Sequence, residues 1–376
     1  VEKLRELKTG DALLGSLCQS ANSKGQKIYL ILDEYDNFAN NILVDYGNER
    51  YRSITHGSGF FRGFLKVVKD YSNSVIERIF LTGVSPVTMD DLTSGFNIAA
   101  NYSNSPTFNN MMGFNEQEVR TLIDYYKSYR KLPHTTNELI DIMKPWYDNY
   151  CFALKALKEP SMYNSDMVLY FMNHYMLNED IPENMLDANI RTDYNKLRHL
   201  IHVDRTFGEN ASMVQEIVEK GSTTGIIADS FPAEDIIKPE YFKSLLYYYG
   251  LLTMCGTRGD RLKMCIPNNC VREQYLGFLR DYYQQAHTLN LSHLKDLIDD
   301  FAFDGHWQPF FETIARAYRE NSSIRDAIEG ERNLQGFLKA YLAIASYYLV
   351  QPELEMNYGY CDFFLLPDKM RYSDRH

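Results

Sequence analysis

The sequence predicts an α/β fold, with a parallel sheet covered by helices at the start of the chain and a second α/β region at its end. Three observations carry this. Ile28 to Leu32 is an unbroken apolar run of strand length, set between Gly25-Gln26-Lys27 and Asp33-Glu34. A run apolar on both faces reads as an interior strand of a parallel sheet. Phe60 to Tyr71 then places Phe61, Phe64, Leu65 and Val68 on one helical face, and Ile76 to Leu81 is a second strand. Strand, helix and strand make a βαβ unit with a right-handed crossover. Near the end, Tyr347–Met356 and Tyr360–Leu366 read as two strands joined at Asn357-Tyr358-Gly359, after helical sequence over 292–346.

Bulk properties narrow the class. A chain of 376 residues, 45% hydrophobic, has room for two or three domains with their own cores. With 29 Tyr and 21 Phe, thick aromatic cores between helices are expected. A net charge of −11 argues against a surface coated for nucleic acid, although a local basic groove fits on an acidic protein. The six cysteines form no C-x-x-C pair and no zinc-like cluster, which fits a reducing cytoplasm. No apolar run reaches the length of a membrane span, so no membrane partner is expected.

The remaining elements follow in order. Residues 2–20 read as a helix with Leu4, Leu7, Leu13, Leu14 and Leu17 as apolar positions and Gly10 as a weak point. Residues 37–58 and 84–113 carry the glycine and polar chemistry of loops, the second long enough to form a lid or pack on the sheet edge. Asn115 with Glu118 predicts a capping box, and the helix behind it turns Val119, Leu122, Ile123 and Tyr126 inward. Trp146 to Phe152 reads as an aromatic plug of the core, and Ser165-Asp166 opens a helix over Met167–Tyr175. Residues 176–235 read as a connection, including the Gly-Ser-Thr stretch at 221–225; Arg191 within it is an exposed structural arginine or a reach to a phosphate in trans. Tyr241–Tyr249 is a helix closed by Gly250. A hairpin follows over Leu251–Cys255 and Leu262–Ile266, with a glycine-rich turn several residues long, and then a helix over Val271–Tyr283 capped by Asn268. Helix, hairpin and helix resemble a winged-helix module, and the balanced charge there favours packing over DNA reading. The last helix carries Leu334, Leu338, Tyr341, Leu342 and Ala345 on one stripe, with Glu331 a turn earlier.

Carboxylates stand in two places where composition alone would not put them. Asp33-Glu34 closes an apolar strand, the edge at which open α/β sheets place their chemistry. This is the Walker B pattern of P-loop ATPases, where the Asp holds Mg²⁺ and the Glu prepares water; acids that merely cap a strand are the plainer alternative. Thr82, at the end of the next strand, fits the slot that senses the γ-phosphate, with Ser85 as a second candidate. At the other end, Asp362 interrupts Tyr360-Cys361-Asp362-Phe363-Phe364, and a buried carboxylate needs a partner or a metal. Glu353 and Glu355 share a face of the preceding strand. With Glu331 these acids can meet at one point, which calls for a cation or a shared proton, and hard oxygens select Mg²⁺ or Mn²⁺. The alternative is that Asp362 pairs with Arg371, Arg375 or a helix end.

The chain resembles bacterial proteins that join an AAA-ATPase-like domain to a C-terminal PD-(D/E)XK nuclease-like domain. The resemblance rests on Ile31-Leu32-Asp33-Glu34-Tyr35-Asp36, Phe80 to Ser85, Gly113-Phe114 before Glu116, Trp146 to Phe152, Tyr163-Asn164-Ser165, Gly330-Glu331 and Gly359 to Asp362, in that order over nearly the whole length. It implies an AAA-ATPase-like domain over 1–175 lacking its P-loop, a helical connection and winged-helix-like module over 176–290, and a truncated nuclease-like domain over 291–376. It implies ATP and Mg²⁺ as cofactors, with Asp33, Thr82 and Ser85 binding nucleotide and metal and Glu34 catalytic. Glu331, Glu355 (or Glu353) and Asp362 take the nuclease's acidic positions, with Glu355 and Asp362 on the metal.

Two departures stand against the family pattern. No G-x-x-x-x-G-K-[ST] occurs, so the phosphates have no backbone cradle. No Glu-x-Lys follows Asp362, and Glu6-Leu7-Lys8 matches only by letters, in the first helix. The chain is therefore read as an interior piece of a longer protein, inactive alone. The expected function is an ATP-hydrolysing regulatory domain coupled to a Mg²⁺-dependent nuclease acting on nucleic acid, with an oligomer allowed. The alternative is a non-catalytic nucleotide-gated switch with a degenerate nuclease fold.

Overall fold

A computed structural model describes residues 7, 9–37, 59–84, 86, 98–187, 208–230, 238–286, 289–320, 330–356, 359–368 and 372. At 208, 209, 211, 239, 240, 285, 286, 330–333, 351–356, 359, 360 and 362 the description is of the backbone alone. The fold is mixed α/β with small sheets. The chain forms two compact units, one of residues 1–103 and 226–252, the other of 104–225 and 253–376.

In the first unit, α1 (Gly10–Ser23), β1 (Ile28–Leu32), α2 (Phe60–Tyr71) and β2 (Ile76–Leu81) follow the expected order. β1 and β2 pair in parallel, with Leu30 opposite Ile79 and Leu32 opposite Leu81. Leu14, Cys18 and Ala21 of α1 and Phe61, Leu65 and Val68 of α2 recur at helical spacing. They bury one face of the strand pair, where Ile28, Leu30, Leu32, Ile79 and Leu81 pack against them.

The other face departs from expectation. Tyr29 is 66% exposed, Ile31 70% and Phe80 48%. Both helices share one core on the same side of the pair, so β1 is not covered on two faces among the described residues. The wider parallel sheet is likewise not found there, because two parallel strands are all that the described residues supply. α1 also begins at Gly10, so that glycine starts the helix instead of weakening its middle; residues 1–6 lie outside the described residues. So do 38–58, which hold most of the first expected loop.

In the second unit, α3 (Glu116–Tyr129) opens with the expected capping box. Asn115 Oδ1 accepts from the Glu118 N–H at 3.0 Å, and Glu118 Oε2 accepts from the Asn115 N–H at 2.8 Å. α4 (Thr136–Tyr147) has a second capping box, Thr135 with Glu138, and it is a helix the sequence reading did not anticipate. α5 (Ser165–Asn178) is capped by Asn164. Val119, Ile123, Ile140, Met143, Val168 and Phe171 from these three helices share one core.

α6 (Gly208–Lys220) leads directly into β3 (Ser222–Gly225). The Gly-Ser-Thr stretch read as connection is therefore largely a strand. It pairs antiparallel with β5, Thr223 opposite Met264, and β-branched threonines suit that edge. The hairpin is β4 (Thr253–Arg258) and β5 (Arg261–Cys265), in a sheet of order β3-β5-β4. Its turn is shorter than expected, Gly259 and Asp260 alone, with Gly259 at φ 65°. α7 (Pro239–Tyr248), the helix expected at Tyr241–Tyr249, belongs to the first unit. Asn268 caps α8 (Asn269–Ala286) as predicted, its Oδ1 accepting from the Val271 N–H at 3.2 Å.

The expected helical stretch resolves into α9 (Leu291–Asp304), α10 (Gln308–Glu320) and α11 (Gly330–Leu342). α11 ends before Ala345; of the expected stripe, Tyr341 and Leu342 are buried and Leu334 and Leu338 half-buried, and Phe337 and Ala340 join the buried face. β6 (Tyr348–Met356) and β7 (Gly359–Pro367) form the expected antiparallel ribbon.

The aromatic plug at 146–152 is bound by polar ties. Phe114 bridges Tyr163, and Tyr150 bridges Met162. The Asn164 N–H donates to the Tyr147 carbonyl at 2.8 Å. Three of the quoted family motifs, at Gly113-Phe114, Trp146–Phe152 and Tyr163–Ser165, therefore meet in one place. Gly113 is required there: at φ 89°, a Cβ would lie 2.5 Å from the Tyr163 carbonyl oxygen. Asn109, 1% exposed, accepts from the Phe152 N–H at 2.9 Å and the Ala153 N–H at 3.1 Å through one oxygen. Asn109→Ala strips both amides of their acceptor and is expected to destabilise the chain by about 2–4 kcal/mol, measured by denaturant unfolding. A change under about 0.5 kcal/mol would contradict this role.

Candidate functional site

The candidate site is the C-terminal end of the β1–β2 pair. The parallel ladder continues one step past both strands: the Thr82 N–H donates to the Leu32 carbonyl at 2.9 Å and the Tyr35 N–H to the Thr82 carbonyl at 3.0 Å. This extension brings Asp33 and Thr82 together. The Thr82 hydroxyl donates to Asp33 Oδ1, and the Glu34 N–H donates to the same oxygen at 3.0 Å. Among the described residues nothing holds Asp33 Oδ2, and the residue is exposed.

Glu34 follows in the left-handed region, at φ 51°. That conformation is uncommon for a residue with a Cβ and costs on the order of 1 kcal/mol. The turn that enforces it is closed by Asn37, whose N–H donates to the Glu34 carbonyl at 3.0 Å and whose side-chain amide donates to Glu34 Oε2 at 2.8 Å. The Glu34 carboxylate is exposed and tied to Asn37.

Two further residues shape this edge. Asp36 is fully buried at 0% exposure, and its Oδ1 accepts from the Val84 N–H at 3.1 Å. It thereby fixes the backbone leaving β2. Gly83 lies between, and a Cβ there would come within 2.5 Å of Asp36 Oδ1 and 2.6 Å of the Tyr35 ring. Burial pushes the Tyr35 hydroxyl well above the usual phenol range, with the Asp36 charge and then Tyr248 adding to it, so it stays protonated at neutral pH. The sequence reading gave no role to Asp36 or Gly83. The signal was present, a third acid two residues past Glu34 and a glycine directly after Thr82. Ser85 lies outside the described residues.

The donor set at this edge is a carboxylate, a hydroxyl and a second exposed carboxylate. Hard oxygens of this kind fit Mg²⁺. They do not supply a phosphate cradle, and no glycine-rich loop in the sequence does so either.

The second group of acids is placed by backbone alone. In the β6–β7 ladder Glu355 stands opposite Tyr360, and Glu353 and Asp362 both fall between the pairs Pro352–Phe363 and Leu354–Cys361. Strand alternation puts positions 353, 355 and 362 on one face of the ribbon. Glu331 stands in the first turn of α11. The side chains of Glu331, Glu353, Glu355 and Asp362 lie outside the described residues, as does Arg371. Among the described residues no group of three or more His, Cys, Asp or Glu side chains could hold a metal ion. No described helix is long and apolar enough to cross a membrane.

Comparison with known proteins adds two findings. Residues 1–93 match the family model of a predicted AAA-ATPase, and residues 329–375 match that of the PD-(D/E)XK nuclease superfamily. Neither a curated protein nor a solved structure matches the chain. The first match takes in β1, β2 and the Asp33–Thr82 edge; the second takes in α11 and the β6–β7 ribbon. The chain thus carries an AAA-ATPase-like region at its start and a PD-(D/E)XK nuclease-like region near its end, the pairing that its motifs imply.

Proposed function

We propose that the chain belongs to an ATP-hydrolysing regulatory protein whose nucleotide edge is Asp33, Glu34 and Thr82, coupled to a Mg²⁺-dependent nuclease-like region that acts on nucleic acid. The observation that carries the first half is the hydrogen bond from Thr82 to Asp33 at the C-terminal ends of adjacent parallel strands. Magnesium-bound ATP would supply the electrophilic phosphoryl group. Asp33 Oδ2 is the oxygen left to hold the ion or one of its waters. Thr82 orients Asp33 by holding Oδ1, so a change at one residue is felt by the other. The Glu34 carboxylate would take the proton of the attacking water, as a general base does. Ser85 remains a second candidate for the nucleotide edge. The nuclease half rests on the match over 329–375 and on Glu353, Glu355 and Asp362 sharing a face of the ribbon. Glu355 and Asp362 are the proposed metal ligands there, with Glu331 as a further acid.

One observation favours a second reading, a nucleotide-gated switch that does not hydrolyse. Asn37 holds the Glu34 carboxylate at 2.8 Å, and a base so engaged must first be released.

Steady-state hydrolysis by the natural protein containing this chain separates the two. Glu34→Gln is expected to slow ATP hydrolysis by about 10²-fold or more while ATP affinity stays within about twofold, because the amide keeps the shape and cannot take a proton. ATP bound without turnover by either protein would favour the switch, and equal measurable turnover in both would remove Glu34 as the base. For the nuclease half, Asp362→Ala is expected to abolish metal-dependent cleavage of nucleic acid and leave ATP hydrolysis intact. Cleavage that survives the substitution would remove Asp362 from the metal site.

A further inference from the structure

The three-stranded sheet of the second unit has one buried face and one open face. Thr223, Met264 and Met254 stand in one row across β3, β5 and β4, and all three are buried. The next row along β5 points the other way. It holds Thr224, Lys263 and Gly256, and two residues further along β5 Arg261 stands opposite Arg258 on that same face. The register shift between Met254 and Gly256 is what puts these two residues of β4 on opposite faces. Arg258, Arg261 and Lys263 therefore share the open face, and all three are exposed.

Charges that balance along the sequence here do not balance once sorted by face. In a chain of net charge −11, these strands turn three cations and no acid outward; Asp260, in the turn between Arg258 and Arg261, is the one acid of the hairpin. Among the described residues no hydrogen bond or ion pair engages the three cationic groups. Like charges directly opposite across a ladder repel, so the Arg258–Arg261 pair works against the hairpin that carries it. Gly256 leaves the backbone bare beside Lys263: a Cβ there would meet nothing nearer than the Lys263 Cβ at 4.0 Å. A glycine inside a strand often marks a place where a ligand or another backbone approaches closely.

We propose that the open face of the β3-β5-β4 sheet is a nucleic-acid contact surface, on which Arg258, Arg261 and Lys263 hold phosphates of the backbone. The proposal rests on the reading of the chain as one that acts on nucleic acid and names where that ligand is gripped. A ligand with repeated negative charge relieves the repulsion between the two arginines, and their planar guanidinium groups suit phosphate oxygens. The row neighbours Thr224 and Gly256 offer no apolar anchor of the kind that carries a protein interface, which favours a polyanion over a protein partner. Contacts of this kind hold the backbone and read no sequence.

The test measures binding of fluorescein-labelled duplex DNA to the natural protein containing this chain, by fluorescence anisotropy over a series of salt concentrations. EDTA is present and ATP is left out, so neither cleavage nor nucleotide turnover enters the readout. Each of Arg258→Gln, Arg261→Gln and Lys263→Gln is expected to weaken binding severalfold at low salt and to lower the slope of log affinity against log salt by about 0.9, and the triple variant to lower it by about 2.7. Lys295→Gln, at an exposed cation of α9, should change neither. Arg261→Gln should leave the midpoint of thermal unfolding equal or higher, because it removes a repulsion. Unchanged affinity and slope in the triple variant would overturn this proposal and leave the nuclease reading standing; no binding by the wild type would overturn both. Self-association that the triple variant loses, with DNA binding unaffected, would overturn it by assigning the face to a second copy of this acidic chain.

Discussion

A backbone amide that leaves a helix or strand inside a protein must find an acceptor. In both units of this chain a buried side chain meets that need. In the first, Asp36 accepts from the Val84 N–H and fixes the path out of β2. In the second, Asn109 accepts from two successive amides at 152 and 153, and Asp148 accepts from the Asn149 N–H and the Ser161 hydroxyl. The helices and strands supply apolar faces, but these polar ties decide where the irregular segments run. The candidate site depends on one of them. Asp36 and Gly83 hold the turn in which Asp33 meets Thr82, so the fold and the site share a constraint.

That dependence explains which parts were legible in the sequence. The βαβ unit was legible because Phe61, Leu65 and Val68 repeat at helical spacing between two strand-length runs; in α1 the reading found Leu14, but Leu13 and Leu17 are exposed and Cys18 and Ala21 fill the core in their place. The capping box at Asn115 was legible because both partners are three residues apart. The Thr135–Glu138 box has the same signature and was passed over. β3 was missed for another reason. Ser222–Gly225 has the composition of a loop and becomes a strand because β5 offers it a partner, a fact of tertiary pairing.

At the candidate site the acids were legible and their supports were not. Asp33 and Thr82 announce themselves as polar residues closing apolar strands. Asp36 looks like one more surface acid, and only its full burial reveals the amide it serves. The open face of β1 and β2 was hidden by a similar ambiguity. Tyr29, Ile31 and Phe80 are apolar, and an apolar run does not record whether one side or both are covered.

The most direct measurement of the central claim is the Mg²⁺-dependent part of nucleotide binding. Mn²⁺ can stand in for Mg²⁺ and be followed by its electron paramagnetic resonance as ATP and the natural protein are titrated together. The account predicts that the wild-type protein takes up Mn²⁺ with ATP and that Asp33→Asn, which keeps the hydrogen bond from Thr82 but loses the charge, takes up at least about tenfold less. Equal uptake by Asp33→Asn and the wild type would contradict the assignment of this strand end as the metal–nucleotide edge.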